Sequence, residues 1–396
     1  MAESANFTEQ EFRERLGKLR AVLKERQIDL AVLNAAVDLF YYTGSVLPLY
    51  LVVPLKKDPF LLARKASGQI RLQVFHIPLE EFSNSRDLTR IFASPGGTPE
   101  HIGFNFEASS FATVTRIMGF FDGGKPVDIS MDLKYLRMCK SNAEISIQAE
   151  AGKIIAGFPG IAKKNFQPGM SELELSLKLE EYFRLHGNEV INTKQEGLPI
   201  AYGVCSAGKN SLTGSKFDGI CSGRGVSLSM PFGASRDIIE ENVPVIMDYA
   251  FILNGYHMDM TRMASRGTVS NEVLSAYHAM CEIEDAIIKN LFPGTPWQEI
   301  YELSENYAAD LGFADIFMGT GSEKVRFVGH GVGLQLDEPP YLAPKNEQLL
   351  QANMTIAVEP KVAIPGVGVV GIEDTFLVTD SGARCLTECS REWMVF

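Results

Sequence analysis

Asp248 and Asp259 flank Asn254-Gly255 within residues 243–263, VPVIMDYAFILNGYHMDMTRM, where two runs of β-branched, aromatic and apolar residues read as strands. Asn-Gly between such runs is the strongest short-range signal for a two-residue hairpin, because both residues tolerate positive φ. With Asn254 and Gly255 as the loop, Leu253 faces Tyr256 and Asp259 stands opposite Ala250. Side chains alternate faces along a strand, so Asp248 projects from the same face as Asp259, its diagonal neighbour roughly 7–8 Å away. Two carboxylates on one apolar hairpin require a cation or a proton, because burying unpaired charge is prohibitive.

The device recurs towards the C-terminus. Residues 355–363 (TIAVEPKVA) and 369–378 (VVGIEDTFLV) are two further strand-like runs joined through Pro365, Gly366 and Gly368. A hairpin centred on Gly366 sets Glu359 across from Glu373. Between the two hairpins, residues 328–333 read VGHGVG, an imidazole among glycines that let the backbone approach whatever His330 touches. Four carboxylates and one imidazole form a hard, oxygen-rich ligand set suited to two divalent cations, whose charges the carboxylates would balance.

In this order, Asp248, Asp259, His330 within GHGVG, Glu359 within VEP and Glu373 within GIEDT resemble the methionine aminopeptidase, aminopeptidase P and prolidase family of dinuclear metallohydrolases. The fragment GHGVGLQLDEPP is especially similar to the Xaa-Pro-cleaving branch. The resemblance implies an α+β chain with a pita-bread catalytic domain behind a smaller α/β creatinase-like domain. It implies a homodimer acting on short peptides with two divalent metal ions, manganese, cobalt, zinc or iron. In the relatives, the residue matching Asp248 binds one ion, those matching Asp259 and Glu373 bridge, and those matching His330 and Glu359 bind the second. Such a pair acidifies a water and polarises an amide carbonyl, and Glu359 would carry the proton to the leaving amine.

Three positions depart from the family pattern. Pro231 stands where family peptidases carry a histidine before the first ligating strand, Asp337 where they carry another after the metal histidine, and Gly371 where the Xaa-Pro branch carries arginine. These groups bind the substrate carbonyl and the tetrahedral intermediate, and loss of one such donor costs about 10²–10³ in rate. Asp337 is a candidate acid or base in place of the imidazole, against a surface or capping aspartate. His257 shares the face of Asp259 and is a candidate imidazole near the metals, against a partly exposed strand histidine. His76, His101, His186 and His278 have no motif around them.

The departures keep a second class open, a small zwitterion cleaved at a C–N or C–S bond, as in creatinase, ectoine hydrolase and one class of sulfonium lyases. A third class is a binding protein on the same fold, which the intact ligand set argues against.

The remaining features bound the setting. A length of 396 residues favours two domains, 45% apolar and 22% charged residues are ordinary for a globular chain, and a formal charge of -12 argues against nucleic acid or an anionic membrane as partner. Six cysteines without framework spacing read as reduced thiols of a cytoplasmic protein. The polar N-terminal stretch carries no secretory pattern, and no apolar run reaches the roughly 18 residues of a membrane span.

Thr8 and Glu11 form a capping-box pattern ahead of a helix to about Arg26, with a short strand-like run at 28–33. Residues 38–44, DLFYYTG, resemble the strand and loop that open creatinase-like domains. Alternating runs at 50–54 and 59–63 continue an α/β pattern to about residue 130, where breakers at 121–126 suggest a boundary; the domains are then 1–130, a lid and dimerisation unit, and 131–396. Ser141 is a candidate helix cap, and helical patterns fall at about 142–157, 171–187, 271–291 and 297–311.

Overall fold

The computed structural model describes residues 7–92, 99–189, 203–216 and 218–396. The chain divides into two compact units, residues 1–137 and 138–396. The helix Ser130–Met138 therefore belongs almost wholly with the first unit, and the division falls beyond the breakers at 121–126.

In the first unit, Thr8 caps the helix Glu9–Glu25 by accepting from the Glu11 amide. Its apolar side packs Phe12, Leu16, Leu19 and Leu23 inward. A mixed sheet of six strands runs in the order Leu79–Glu81, Phe60–Ala63, Tyr50–Pro54, Leu30–Leu33, His101–Phe104, Lys125–Asp128. Residues 38–44 are not strand and loop. They lie in the helix Ala36–Thr43, which Gly44 ends in the left-handed conformation at φ 76°. The aromatic and β-branched residues Tyr41, Tyr42 and Thr43 look like strand, but they are buried together with Asp38 and Leu39 around most of the helix, and packing overrides the local preference.

The second unit is built on the hairpin of Pro244–Leu253 and Tyr256–Ser265, paired without a slip from Pro244 opposite Ser265 to Leu253 opposite Tyr256. Asn254 and Gly255 take φ of 48° and 81°, the paired positive values of a tight hairpin turn. One face sends Val245, Met247, Tyr249, Phe251, Met258 and Met260 into a core with the helices Asn142–Ile155, Phe158–Asn165 and Glu172–Leu185. Ile246 and Met263, on the other face, join a second core with the helices Asn271–Ile288 and Trp297–Asp310. Ser141 caps its helix through a complete capping box with Glu144.

A second, antiparallel sheet of five strands runs Glu338–Tyr341, Gly329–Gly331, Thr355–Val358, Asp374–Thr379, Gly382–Cys385. The run read as one strand at 355–363 is two: Thr355–Val358 lies in this sheet, and Lys361–Ile364 leaves it to pair with Gly368–Gly371. Pro360 has no N–H to continue a ladder, so the break falls at Glu359-Pro360. The return run breaks likewise between Gly371 and Asp374, where Glu373 bridges to Thr261 on the central hairpin. Both glutamates thus stand where strands change sheets.

Candidate metal centre

The alternation of the central hairpin puts Asp248, Thr261 and Asp259 on one face, and the Thr261–Glu373 bridge brings the C-terminal hairpin over it. The Thr261 hydroxyl donates to Glu373 Oε2 at 2.8 Å, and Thr375 Oγ1 donates to the Asp259 carbonyl at 2.9 Å. Arg262 fixes the same seam from behind. It makes two hydrogen bonds to Asp374, at 2.8 and 3.0 Å, and donates to the Thr261 and Glu373 carbonyls at 2.9 and 3.0 Å.

His330 enters from the middle of the five-stranded sheet, between Thr355–Val358 and Glu338–Tyr341. Gly331 lets the backbones close there, since a Cβ on it would fall 2.3 Å from the Pro339 carbonyl oxygen. The two ring nitrogens face different surroundings. Nδ1 lies 2.8 Å from Asp337 Oδ1, whereas Nε2 lies 3.5 Å from Glu359 Oε1 and 3.9 Å from Asp259 Oδ2. With its proton on Nδ1, held by the carboxylate, the ring turns the lone pair of Nε2 towards the acidic groups.

Those longer separations decide whether a cation fits. They exceed a direct hydrogen bond, but ligand atoms about 2.1 Å from a shared ion stand roughly 3–4 Å apart. Asp259, His330 and Glu373 are all buried and offer ligand atoms within 4.8 Å of one another. On this side the buried group of Asp259, His330 and Glu373 could hold a divalent cation, with Glu359 Oε1 beside the His330 ring.

The opposite side is closed by a residue that the sequence reading passed over. Lys361, 1% exposed, places Nζ 3.0 Å from Asp248 Oδ2, 2.7 Å from Glu359 Oε2 and 2.8 Å from Glu373 Oε2. Its signal was present: Lys361 is two positions from Glu359 in sequence and faces Gly371, itself two positions from Glu373. The expectation of two cations meets a second position already held by an ammonium group.

Electrostatics follow from crowding. Burial, then the charges of Glu373 and Asp248, push the Asp259 carboxyl far above the usual carboxylate range. Asp248 and Glu373 are also raised, burial outweighing the nearby ammonium. Burial pulls Lys361 down, but Asp248, Glu359 and Glu373 outweigh it and hold the ammonium charged well above its ordinary range. The cluster lacks positive charge, the condition under which a divalent cation binds.

Of the other candidates, Asp337 meets His330 through Nδ1, the ring nitrogen opposite the one that faces the carboxylates. His257 is buried, with its amide 2.8 Å and Nδ1 3.0 Å from the Gly333 carbonyl oxygen, which ties the hairpin to the loop after His330. Pro231 lies just beyond a small turn closed by Ser227 and Met230. Gly371 faces Lys361, and a Cβ there would lie 2.4 Å from Lys361 Cγ, so the lysine stem fills the room of any side chain at 371.

Residues 148–380 match metallopeptidase family M24, and residues 15–139 match the creatinase/prolidase N-terminal domain. The chain belongs to metallopeptidase family M24. It is an M24 metallopeptidase hydrolase, with a creatinase-like domain followed by the pita-bread catalytic domain. An uncharacterized peptidase of Bacillus subtilis is 25% identical over 96% of this chain and 99% of its own length. The Xaa-Pro dipeptidase of Pyrococcus furiosus is also 25% identical, over 96% and 99%. Among solved structures, an Xaa-Pro dipeptidase from Bacillus anthracis aligns with a TM-score of 0.83 at 22% identity, covering 97% of this chain and 100% of that one, a likeness of fold. Among the described residues no helix is long and apolar enough to cross a membrane.

For this M24 chain, replacing Asp337 with asparagine is expected to weaken divalent-metal affinity about 10–100-fold, the usual cost of losing a carboxylate behind a ligating histidine. Turnover at saturating metal should change far less. Chelator competition beside kcat at saturating metal checks both halves; unchanged affinity would show that Asp337 does not set the ring.

Proposed function

We propose that this chain is a divalent-metal-dependent peptidase of the Xaa-Pro type, releasing an amino acid from Xaa-Pro dipeptides or from short peptides that begin Xaa-Pro. The observation that carries the reading is the cation-sized gap among His330 Nε2, Glu359 Oε1 and Asp259 Oδ2, at the meeting of two sheets. Full-length similarity to the Xaa-Pro dipeptidase of Pyrococcus furiosus supports the substrate class.

Asp259, His330, Glu359 and Glu373 would hold the cation, drawn from manganese, cobalt, zinc or iron. Bound there, it supplies Lewis acidity and a water acidified towards neutral pH. The chain supplies the rest. Asp337 keeps the proton on His330 Nδ1. Glu359, its carboxylate anchored on Lys361, would take a proton from the attacking water and pass it to the departing amine nitrogen. Asp248 shares the ammonium that anchors Glu359, while His257 positions the loop after His330. The creatinase-like unit serves dimerisation in this reading, and the protein works in the cytoplasm as a homodimer.

A second reading, a small zwitterionic C–N or C–S substrate, is favoured by Pro231, Asp337 and Gly371. Two family imidazoles and a guanidinium that handle a peptide carbonyl are absent from those positions, and Asp337 faces His330. One panel separates the two. Protein loaded with manganese, cobalt or zinc is assayed on Xaa-Pro dipeptides, Xaa-Pro tripeptides, amidino, N-acetylated and sulfonium compounds. Turnover of the Xaa-Pro peptides is expected; activity confined to the small zwitterions would replace this reading with the second.

A further inference from the structure

The two sides of the acidic cluster differ in how closely their groups approach. On the His330 side the nearest pairs stand 3.5 and 3.9 Å apart, spaced for an ion between them. On the other side, Lys361 Nζ meets three carboxylate oxygens at 2.7, 2.8 and 3.0 Å, direct charge-assisted hydrogen bonds. The three hydrogens of the ammonium group match three acceptors, from Asp248, Glu359 and Glu373. A divalent ion coordinated by the same oxygens, at roughly 2.0–2.6 Å, would coincide with Nζ.

Glu359 divides its carboxylate between the halves, Oε1 towards His330 and Oε2 on Lys361. We infer that the Lys361 ammonium takes the place of a second divalent cation, so that the centre binds one metal ion per chain. The inference rests on the metal-dependent reading above and specifies its stoichiometry.

The lysine is built in rather than swung in. Its backbone lies in the strand Lys361–Ile364, paired with Gly368–Gly371, and its carbonyl accepts from the Met318 amide at 2.9 Å. Its stem crosses Gly371, where a Cβ would lie 2.4 Å from Lys361 Cγ. The glycine at 371, a departure from the Xaa-Pro pattern, and the lysine at 361 thus form one arrangement: the empty side-chain position on one strand admits the cation from the other.

The full-length protein, stripped of metal and titrated with manganese, tests this by metal analysis of the desalted protein and by electron paramagnetic resonance. The wild type is expected to retain one manganese per chain with the spectrum of an isolated ion. Lys361→Gly, which removes the ammonium and opens its space, is expected to take up a second equivalent and show spin coupling between neighbouring ions. Two coupled ions in the wild type would overturn the inference while leaving metal dependence standing. No tightly held ion in the wild type would overturn both. One ion in the wild type and one in Lys361→Gly would show that the ammonium does not substitute for a cation. Should Lys361→Gly fail to fold, the wild-type stoichiometry decides.

Discussion

Replacing His330 with alanine is expected to lower kcat/KM of the metal-loaded protein by about 10²–10³-fold, the scale on which losing one group that supports developing charge is felt. His330 is the sole nitrogen donor in the proposed set; Asp259, Glu359 and Glu373 offer only oxygen. Without it the acidic groups lose the neutral ligand that spaces them, and Asp337 loses the imidazole it meets at 2.8 Å. Folding should survive, because the strand Gly329–Gly331 is held on both edges by backbone pairing that alanine preserves. Steady-state kinetics with a metal titration and a circular-dichroism spectrum check both parts. Loss of activity with wild-type metal affinity would remove His330 from the ligand set and make it a substrate contact.

Arg262→Met is expected to destabilise the protein by about 3–5 kcal/mol, because removing one partner of a buried pair strands the other charge. Arg262 and Asp374 are both almost wholly buried, and the guanidinium also donates to the Thr261 and Glu373 carbonyls. Those contacts carry Glu373 to the central hairpin, so the loss should loosen the centre as well as the fold. The companion variant, Arg262→Met with Asp374→Leu, should recover much of the stability, since an apolar pair replaces a buried ionic one at little cost. It should not fully recover metal affinity, because the Glu373 carbonyl then keeps only the Thr261 amide, 3.1 Å away, and loses the guanidinium. Urea midpoints and metal titrations of the two variants separate the effects; equal stability of single and double variants would show that Asp374 is not stranded.

How far the chain announced this architecture depended on whether a local rule governed each segment. Asn254-Gly255 dictates its turn, so the register across the central hairpin, and with it the shared face of Asp248 and Asp259, followed from alternation alone. The pairing of Lys361–Ile364 with Gly368–Gly371 likewise follows the centring on Gly366. Residues 38–44 misled because the β-branched and aromatic preferences of Tyr41, Tyr42 and Thr43 are weak beside tertiary packing. The strand break at Glu359-Pro360 was readable in principle from the missing proline amide. The apolar character of 355–363 hid it.

Lys361 was missed for a different reason. A search for metal ligands looks for groups that donate electron pairs, and a lysine is the opposite, a cation. Only the cross-strand geometry shows that it lies on the same face as the glutamates and opposite a glycine that gives it room. Asp337 posed the same difficulty in reverse: its position relative to His330 in sequence suggested a replacement imidazole, while the fold brings it to Nδ1 of His330.

The account stands on a cation lying among groups drawn from three strand systems. The most direct measurement is anomalous X-ray scattering from crystals of the manganese-loaded protein. The expected result is a peak roughly 2–2.5 Å from ligand atoms of Asp259, His330, Glu359 and Glu373. A fully loaded crystal with its manganese elsewhere, or with no peak among these four side chains, would contradict it.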